Sequence, residues 1–228
     1  MTAVTDLVEV VDRLLAPEGG CVWNRAQTHA SLARYAVEES YELVDAIDSG
    51  DDDELREELG DVLYQVVLHA GLAATEGRFD LEDVAAGARD KMVRRHPHVF
   101  GAERADTEAE VVRVWRAAKA AEKAARTSVV DGVPRAMPPL ERAVKLLERL
   151  EERGDAATVV AAVVRAPEQA SAGADGSAGA SGSGHEVDER WGGGMLAEVA
   201  AAREAGVDVV ASLRAAVTRL ETEARVGE

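Results

Sequence analysis

Acidic side chains crowd the stretch from Glu38 to Asp61. It holds twelve acids against one base, Arg56. A solvated helix face is the usual explanation for such a run, but the helical spacing favours another. At about 100° per residue, Glu39 falls in the middle of the apolar stripe defined by Leu32 and Leu43. A carboxylate that faces a core is costly unless it is neutralised, paired or bound to a cation.

These inward-facing acids have no basic partner at helical spacing. On the next predicted helix, Glu58 lies close to an apolar stripe and Asp61 follows one turn later. No Lys or Arg stands three or four residues after Glu39, Glu42, Glu58 or Asp61, although such pairs are common on exposed helices. Clustered carboxylates repel unless something positive sits among them. Oxygen ligands without a His or Cys cluster favour Mg²⁺ or Mn²⁺ over zinc.

Helical periodicity covers most of the chain, so helices must position these acids. Apolar residues recur at helical spacing, and capping residues, Gly and Pro stand where the spacing breaks. Asp53 is expected to cap the helix that carries Glu58, and Asp80 is expected to open the helix after Gly77. The pattern predicts helices at about 4–15, 29–49, 53–75, 81–95, 108–125, 139–153, 195–205 and 208–225.

Composition favours the same all-α fold class. The 228 residues (24.1 kDa) are 46% hydrophobic but only 4% aromatic, which is typical of helices and not of a strand-built sandwich. The formal net charge of −17 argues against unspecific binding to nucleic acid or to an anionic membrane. A phosphate-bearing ligand would therefore need a metal ion or a small basic cluster. Cys21 is the single cysteine, which excludes an internal disulfide.

Two segments bear on location and domain organisation. The first 15 residues carry three acids and no basic leader, and no window approaches the roughly 18 apolar residues of a membrane span. A cytoplasmic protein is expected. The stretch Ala170–Gly184 is nearly all Gly, Ala and Ser, which predicts a disordered linker.

The spacing of the acids completes a motif. It reads Glu38-Glu39-x-x-Glu42, then fifteen residues, then Glu58-x-x-Asp61. Two antiparallel helices joined by the short SGDD turn would bring these groups face to face. The motif resembles that of the all-α nucleoside triphosphate pyrophosphohydrolases of the MazG type. The resemblance extends, in the family's order, to CVWNRAQTHASL (21–32), EELGD (57–61) followed by LYQVVLHA, KMVRRHPHVFG (91–101), VWRAAKAAEK (114–123) and SVVDGVP (128–134).

The resemblance implies a role for each acid. In the family, metal-bound nucleoside triphosphates are cut between the α and β phosphorus atoms, which yields a nucleoside monophosphate and pyrophosphate. At the matching positions, Glu39, Glu42, Glu58 and Asp61 are expected to bind Mg²⁺, with Mn²⁺ as an alternative. Glu38 is expected to orient or deprotonate the attacking water, or to support the ligands from behind.

The resemblance also implies phosphate-binding residues. Lys91, Arg94 and Arg95 match the family's KxxRR segment near the phosphates, although cations at a helix C-terminus also compensate the helix dipole. Trp115 and Lys119 follow on the next helix, for base stacking or packing and for a further phosphate contact. Trp23 is a further substrate-binding candidate. The family usually has CPWD there, whereas this chain has CVWN (21–24), so a negative charge is missing.

Two histidine features are open to structural interpretations. His96 and His98 flank a proline and are expected to be structural or adjacent to the substrate. His69 projects near Glu58 on its helix, where it would be a hydrogen-bond partner of the site or an ordinary interior histidine.

The C-terminal part resembles a decayed second copy of the same module. Residues 191–225 align with the stretch from ELGD to KMVRR, but Trp191 and Gly194 stand at the positions of Glu58 and Asp61. No catalytic metal is expected there. The predicted domains are a catalytic domain (1–126), a connector with a helix (127–166), a linker (167–190) and the remnant (191–228).

The resulting hypothesis is a Mg²⁺-dependent pyrophosphohydrolase of broad specificity that cleanses nucleotide pools. Its core is thin for a monomer and family members pair, so a homodimer that completes the helical bundle is expected. Two alternatives stay open. One is a narrower enzyme for dUTP, dCTP or phosphoribosyl-ATP, and the other is a non-catalytic acidic helical module that binds a basic partner.

Overall fold

All regular elements in the described residues are α-helices, which confirms the all-α fold class. The computed structural model describes residues 2–122, 128–171 and 187–226. The chain divides into two units, residues 1–122 and residues 123–228. The helices are α1 (Ala3–Leu15), α2 (Val22–Arg25), α3 (His29–Ser49), α4 (Asp52–Thr75), α5 (Leu81–Arg95), α6 (Pro97–Phe100), α7 (Glu108–Glu122), α8 (Pro139–Arg153), α9 (Ala156–Ser171), α10 (Glu189–Glu204) and α11 (Val209–Val226).

Side-chain caps define where two helices of the first unit begin. The Thr28 hydroxyl accepts a hydrogen bond from the Ser31 backbone N–H at 3.1 Å, and the Thr28 N–H donates to the Ser31 hydroxyl at 2.9 Å. Asp80 and Asp83 form the same reciprocal pair at the start of α5. Each pair satisfies N–H groups that the first helical turn leaves without partners. The expected start of α5 at Asp80 is therefore confirmed.

A two-residue turn separates α3 from α4. Gly50 adopts a φ of +73°, in the left-handed region that favours glycine. Asp51 then caps α4, because its carboxylate accepts hydrogen bonds from the N–H groups of Asp53 at 2.8 Å and Glu54 at 3.2 Å. The expected cap at Asp53 was wrong, since the left-handed glycine reverses the chain at once and Asp53 already lies in the first turn. So short a turn makes α3 and α4 antiparallel neighbours.

Helices α1, α3 and α4 share the core of the first unit. Gly71 lies where α4 approaches α1, and a Cβ added there would stand 2.9 Å from Val11 Cγ1 and 3.0 Å from Leu15 Cδ1. Helix α5 packs on α4 and on α7. This packing places α3 and α4 side by side, with α5 attached to α4 and α7 attached to α5. The buried core residues are Val11, Leu15, Leu32, Val67, Leu68 and Leu72.

The second unit is built from α8 to α11. Its buried core contains Leu147, Val160 and Val199. Arg203 on α10 donates hydrogen bonds to Glu151 on α8 at 2.9 and 3.1 Å. The predicted linker (167–190) overlaps the end of α9 at residue 171 and the start of α10 at Glu189. Residues 172–186 of that linker lie outside the described residues. The domain boundaries drawn from the sequence stay predictions.

The sequence pattern did not predict three of the helices. Helices α2 and α6 have four residues each, too few to show a period. Helix α9 carries the apolar run AATVVAAVV without a clear polar face. Helix α10 begins six residues before the predicted start, because Asp188 caps it and Gly192–Gly194 are accommodated within the helix. None of the described helices combines the length and the apolar character needed to cross a membrane.

Candidate active site

Three carboxylates meet between α3 and α4. Glu39, Glu58 and Asp61 each offer an oxygen, and these oxygens lie within 4.8 Å of one another. The three-residue spacing of Glu58 and Asp61 places both on one side of α4, and the antiparallel packing sets Glu39 opposite them. In the part of the chain that the structure describes, this is the one group of three or more acids, histidines or cysteines close enough to share a metal ion.

Glu39 is half-buried in the middle of this group. Its Oε1 accepts a long hydrogen bond from Gln65 Nε2, at 3.4 Å. Burial raises the pKa of Glu39, and the nearby carboxylates of Asp61 and Glu42 raise it further. The cause is physical crowding of like charges in a place that water reaches poorly. The helical angles predicted a carboxylate that faces an apolar stripe, and the half-buried Glu39 side chain with its raised pKa agrees with that prediction.

Glu58 carries the most informative atom of the site. Its Oε2 is shielded from solvent and has no hydrogen-bond partner. Burial raises the pKa of Glu58, as do the charges of Glu42 and Asp61. A buried carboxylate oxygen without a partner is unfavourable unless something positive reaches it. The donor set is all oxygen and crowded, which fits a hard divalent cation such as Mg²⁺.

Glu42 and Glu38 lie at the edge of the group. Glu42 is exposed, and its carboxylate raises the pKa of both Glu39 and Glu58, so it is close enough to act on both. Glu38 is exposed on α3 and is not one of the three clustered acids. The structure therefore brings Glu39, Glu58 and Asp61 together, with Glu42 beside them.

A second cluster joins the end of α5 to α7. The Glu122 carboxylate accepts hydrogen bonds from Arg94 Nε at 3.3 Å and from Arg95 Nε and Nη2 at 3.0 and 2.7 Å. The guanidinium carbon of Arg95 lies 5.6 Å from the ring centroid of Trp115, and the Lys119 ammonium lies 4.6 Å from it. Both distances are within cation–π range. Four sequence-predicted substrate residues are thus neighbours, around a carboxylate that the sequence analysis overlooked.

Glu122 left a weak signal in the sequence. It stands three residues after Lys119 in the VWRAAKAAEK segment, which places it on the same side of α7. Nothing in that spacing shows that α5 passes beside it. The pairing spans 28 residues from Arg94 and 27 from Arg95, and only the packing of α5 on α7 creates it.

Lys91 and Trp23 are placed apart from these contacts. Lys91 is exposed on α5, one turn before Arg94 and Arg95. Trp23 is 49% exposed and meets Tyr35 edge to face, with ring centroids 5.9 Å apart. The half-exposed ring leaves one side of Trp23 accessible to a ligand.

Asn24 explains how the chain tolerates its departure from the family's CPWD pattern. The side chain is buried, and its Oδ1 accepts a hydrogen bond from the Tyr64 hydroxyl at 3.4 Å. A buried amide with one hydrogen bond is less costly than a buried carboxylate without a cationic partner. The change to asparagine is therefore compatible with the packing of α2 within the first unit.

His69 contacts another histidine instead of the acids. Its Nδ1 lies 2.8 Å from Nδ1 of His29, and Nε2 of His29 lies 2.6 Å from Nη2 of Arg78. An arginine only donates, so His29 accepts at Nε2 and, when neutral, carries its proton on Nδ1. His29 then donates to His69, which must be unprotonated at Nδ1. Burial, followed by the charge of His29, lowers the pKa of His69.

The fold and the acidic site together define a class of protein. It is an all-α protein in which carboxylates from two antiparallel helices converge at one site. Residues 27–100, which include all these carboxylates, match the model of the MazG nucleotide pyrophosphohydrolase domain. This part of the chain is a MazG-type domain.

Relatives extend the match beyond this domain. The chain is 44% identical over 166 residues to the nucleoside triphosphate pyrophosphohydrolase of Escherichia coli. This alignment covers 72% of this chain and 63% of the relative. It is 44% identical over 147 residues to the nucleoside triphosphate pyrophosphohydrolase/pyrophosphatase MazG of Thermotoga maritima, with 64% and 54% covered. The crystal structure of a MazG-related protein from Thermotoga maritima aligns with a TM-score of 0.44 and 28% identity, over 50% of this chain and 97% of that chain. The chain spans less than two thirds of the length of the two pyrophosphohydrolases.

Proposed function

We propose that the chain hydrolyses nucleoside triphosphates, with broad specificity, to nucleoside monophosphate and pyrophosphate. The observation that carries the proposal is the Glu58 Oε2 atom, which lies without a partner among other carboxylates inside a MazG domain. Such an atom needs a cation, and a polyphosphate substrate brings charge that the same cation neutralises. The names of the Escherichia coli and Thermotoga maritima relatives support the substrate class.

Glu39, Glu42, Glu58 and Asp61 are proposed as the residues that hold Mg²⁺, with Mn²⁺ as a substitute. Mg²⁺, when bound, neutralises these carboxylates together with the triphosphate and makes a nearby water more acidic. The chain's contribution is to hold oxygens from α3 and α4 within 4.8 Å before any ligand arrives. Rigid helices keep the site assembled, so little reorganisation accompanies binding.

Glu38 is proposed as the residue that orients or deprotonates the attacking water. It is exposed on α3 and adjoins Glu39 in the chain, so its carboxylate is accessible to water beside the acidic group. In the reaction, the water oxygen bonds to phosphorus and its proton passes to Glu38. The bridging P–O bond between the α and β phosphorus atoms breaks, and its electron pair leaves on the departing group.

The basic cluster is proposed as the phosphate-binding part of the site. Lys91, Arg94, Arg95 and Lys119 supply cationic donors, and arginine forks match phosphate oxygens well. Trp115 is proposed to hold two of these cations by its ring, in addition to any contact with the base. Trp23 is proposed as a further substrate contact, because about half of its surface is accessible.

A homodimer is proposed to complete the bundle. Large apolar side chains are left exposed on the two helices that carry the acids, and a second copy would cover them. A cytoplasmic role in cleansing nucleotide pools is proposed with it. The exposed side chains are Val37, Tyr41, Ile47, Leu59, Leu63 and Val66, each between 37% and 57% exposed.

Pyrophosphate release from a panel of NTPs and dNTPs, with Mg²⁺ or with EDTA, tests the activity. We expect release from several nucleotides with Mg²⁺ and none with EDTA. Glu42→Gln is expected to lower turnover at least about a hundredfold, because a neutral amide does not offset the positive charge of Mg²⁺ as a carboxylate does. Far-UV circular dichroism should show the same helical content as the parent protein.

Glu57→Gln is the matched control, since Glu57 is an exposed neighbour on α4. Its turnover is expected to stay within about twofold of the parent. Release from dUTP, dCTP or phosphoribosyl-ATP alone would replace broad specificity by the narrower enzyme. No release from any nucleotide would reject the enzyme and favour a non-catalytic acidic binding module.

A further inference from the structure

Glu122 occupies the hydrogen-bonding side of two adjacent arginines. Arg95 directs both Nε and Nη2 at Glu122 Oε2, at 3.0 and 2.7 Å, and Arg94 directs Nε at Oε1, at 3.3 Å. The Nε and Nη2 edge of a guanidinium is one of the edges that bind a phosphate through two parallel hydrogen bonds. One carboxylate thus takes up three donors that suit a phosphate.

The burial of the Arg95 and Glu122 side chains makes this arrangement more than a loose surface pair. The Arg95 side chain is 14% exposed and that of Glu122 is 23% exposed, whereas that of Arg94 is 60% exposed. Trp115 holds the Arg95 guanidinium from another side, at 5.6 Å. Arg95 therefore cannot leave its place easily, and an incoming anion would have to displace the carboxylate instead.

We propose that Glu122 is an internal anion that competes with the nucleotide's phosphates for Arg94 and Arg95. The inference rests on the proposed function only in assigning these two arginines to phosphate binding. In the absence of nucleotide, Glu122 neutralises two neighbouring guanidiniums that would otherwise repel each other. When a polyphosphate arrives, its oxygens replace the carboxylate oxygens at the same N–H groups, and Glu122 turns toward solvent.

Removal of the Glu122 charge should change anion affinity in opposite directions, depending on whether Glu122 supports the arginines or competes for them. A carboxylate that only supported the arginines would, once removed, leave them disordered and weaken anion binding. A carboxylate that competes for the same donors would, once removed, strengthen anion binding, because the anion no longer displaces a bound group and no longer meets a negative charge. Glu122→Gln separates the two, since the amide keeps the length of the side chain without its charge.

The probe is inorganic tripolyphosphate, titrated into the full chain by calorimetry at low ionic strength with EDTA present. We expect Glu122→Gln to bind tripolyphosphate about three- to tenfold more tightly than the parent, the scale of one nearby charge at a solvent-accessible site. Glu108→Gln is the control, because Glu108 is exposed in the first turn of the same helix and the substitution removes the same charge. Its affinity should stay within about twofold of the parent.

Unchanged or weaker binding by Glu122→Gln, relative to Glu108→Gln, overturns the proposal. If Glu122→Gln loses helical content, Glu122→Asp decides, since the shorter acid withdraws from the donors and should also bind more tightly. Nucleotide hydrolysis is measured separately on the parent protein. Tighter tripolyphosphate binding by Glu122→Gln, without nucleotide hydrolysis by the parent protein, would reject the proposed function and keep this inference. Hydrolysis by the parent protein, with weaker binding by Glu122→Gln, would keep the proposed function and reject this inference.

Discussion

Glu39→Gln is expected to make the metal-free protein more stable and to abolish its response to Mg²⁺. Glu39 is half-buried, and its carboxylate lies beside those of Glu58 and Asp61 with only a long hydrogen bond from Gln65. The neutral amide keeps the shape and can still meet Gln65. The substitution therefore removes repulsion without opening a cavity.

The size of the effect follows from the distances. Two unit charges 4.8 Å apart repel by about 0.9 kcal/mol in bulk water and about 1.7 kcal/mol at an effective dielectric constant of about 40. Partial protonation, which the raised pKa of Glu39 favours, and screening by salt reduce this repulsion. We expect a net stabilisation of about 1 kcal/mol, or about 2–4 °C in Tm for a chain of this size.

Thermal and urea unfolding in EDTA and in Mg²⁺ provide the assay. At a Mg²⁺ concentration about 100 times Kd, the parent protein should gain about 2.7 kcal/mol, whereas Glu39→Gln should gain little. The order of stability then reverses between the two buffers. Asp45→Asn, an exposed acid on the same helix, is the control and should keep the Mg²⁺ response. A Glu39→Gln protein that is less stable than the parent in EDTA would refute the reasoning, because the carboxylate would then make favourable contacts without a cation.

Two further predictions concern packing and pH. Gly71→Ala should destabilise the protein by about 1 kcal/mol, because overpacking against Val11 outweighs the helix propensity that alanine adds. Gly87→Ala, with open space around it, should stabilise the protein by about 0.5–1 kcal/mol in the same urea titration. Equal changes in stability at both sites would contradict the close approach of α1 and α4. Because the pKa of His69 is lowered in the folded state, the unfolded chain takes up a proton first as the pH falls through the ordinary histidine value of about 6.5. Stability that is fully present above that value should thus be lost progressively as the pH falls below it. His69→Gln, which can still accept from His29, should lack this loss, and an unchanged pH profile would reject the histidine pair as its source.

The sequence predicted features that depend on one helix and its ends. The angle of Glu39 within α3 and the spacing of Glu58 and Asp61 within α4 follow from the helical period, and the Asp80 cap follows from local hydrogen-bonding chemistry. The SGDD turn correctly indicated that α3 and α4 are antiparallel. The position of the α4 cap was predicted less well, because three consecutive aspartates each suit a cap and only the left-handed Gly50 selects Asp51.

The sequence pattern could not predict contacts between distant segments of the chain. His29 and His69 are 40 residues apart, and no periodic pattern connects them. The same holds for Glu122, which the sequence placed beside Lys119 but not beside Arg95. The first contact depends on how α3 and α4 pack, and the second on how α5 and α7 pack. A helical period fixes the face of each helix without fixing the register between two helices.

The contrast between the two units clarifies why an unfavourable acidic group is retained in the first. Glu58 buries an oxygen without a partner, and Glu39 adds a carboxylate whose pKa is raised by burial and like charge. In the proposed second copy, the corresponding positions hold Trp191, which is 68% exposed, and Gly194, around which a Cβ would meet nothing within 4 Å. Neither position requires a side chain to fill space or to close a core. The helical framework therefore does not need acids there, and their cost in the first unit is best explained by a ligand that offsets it.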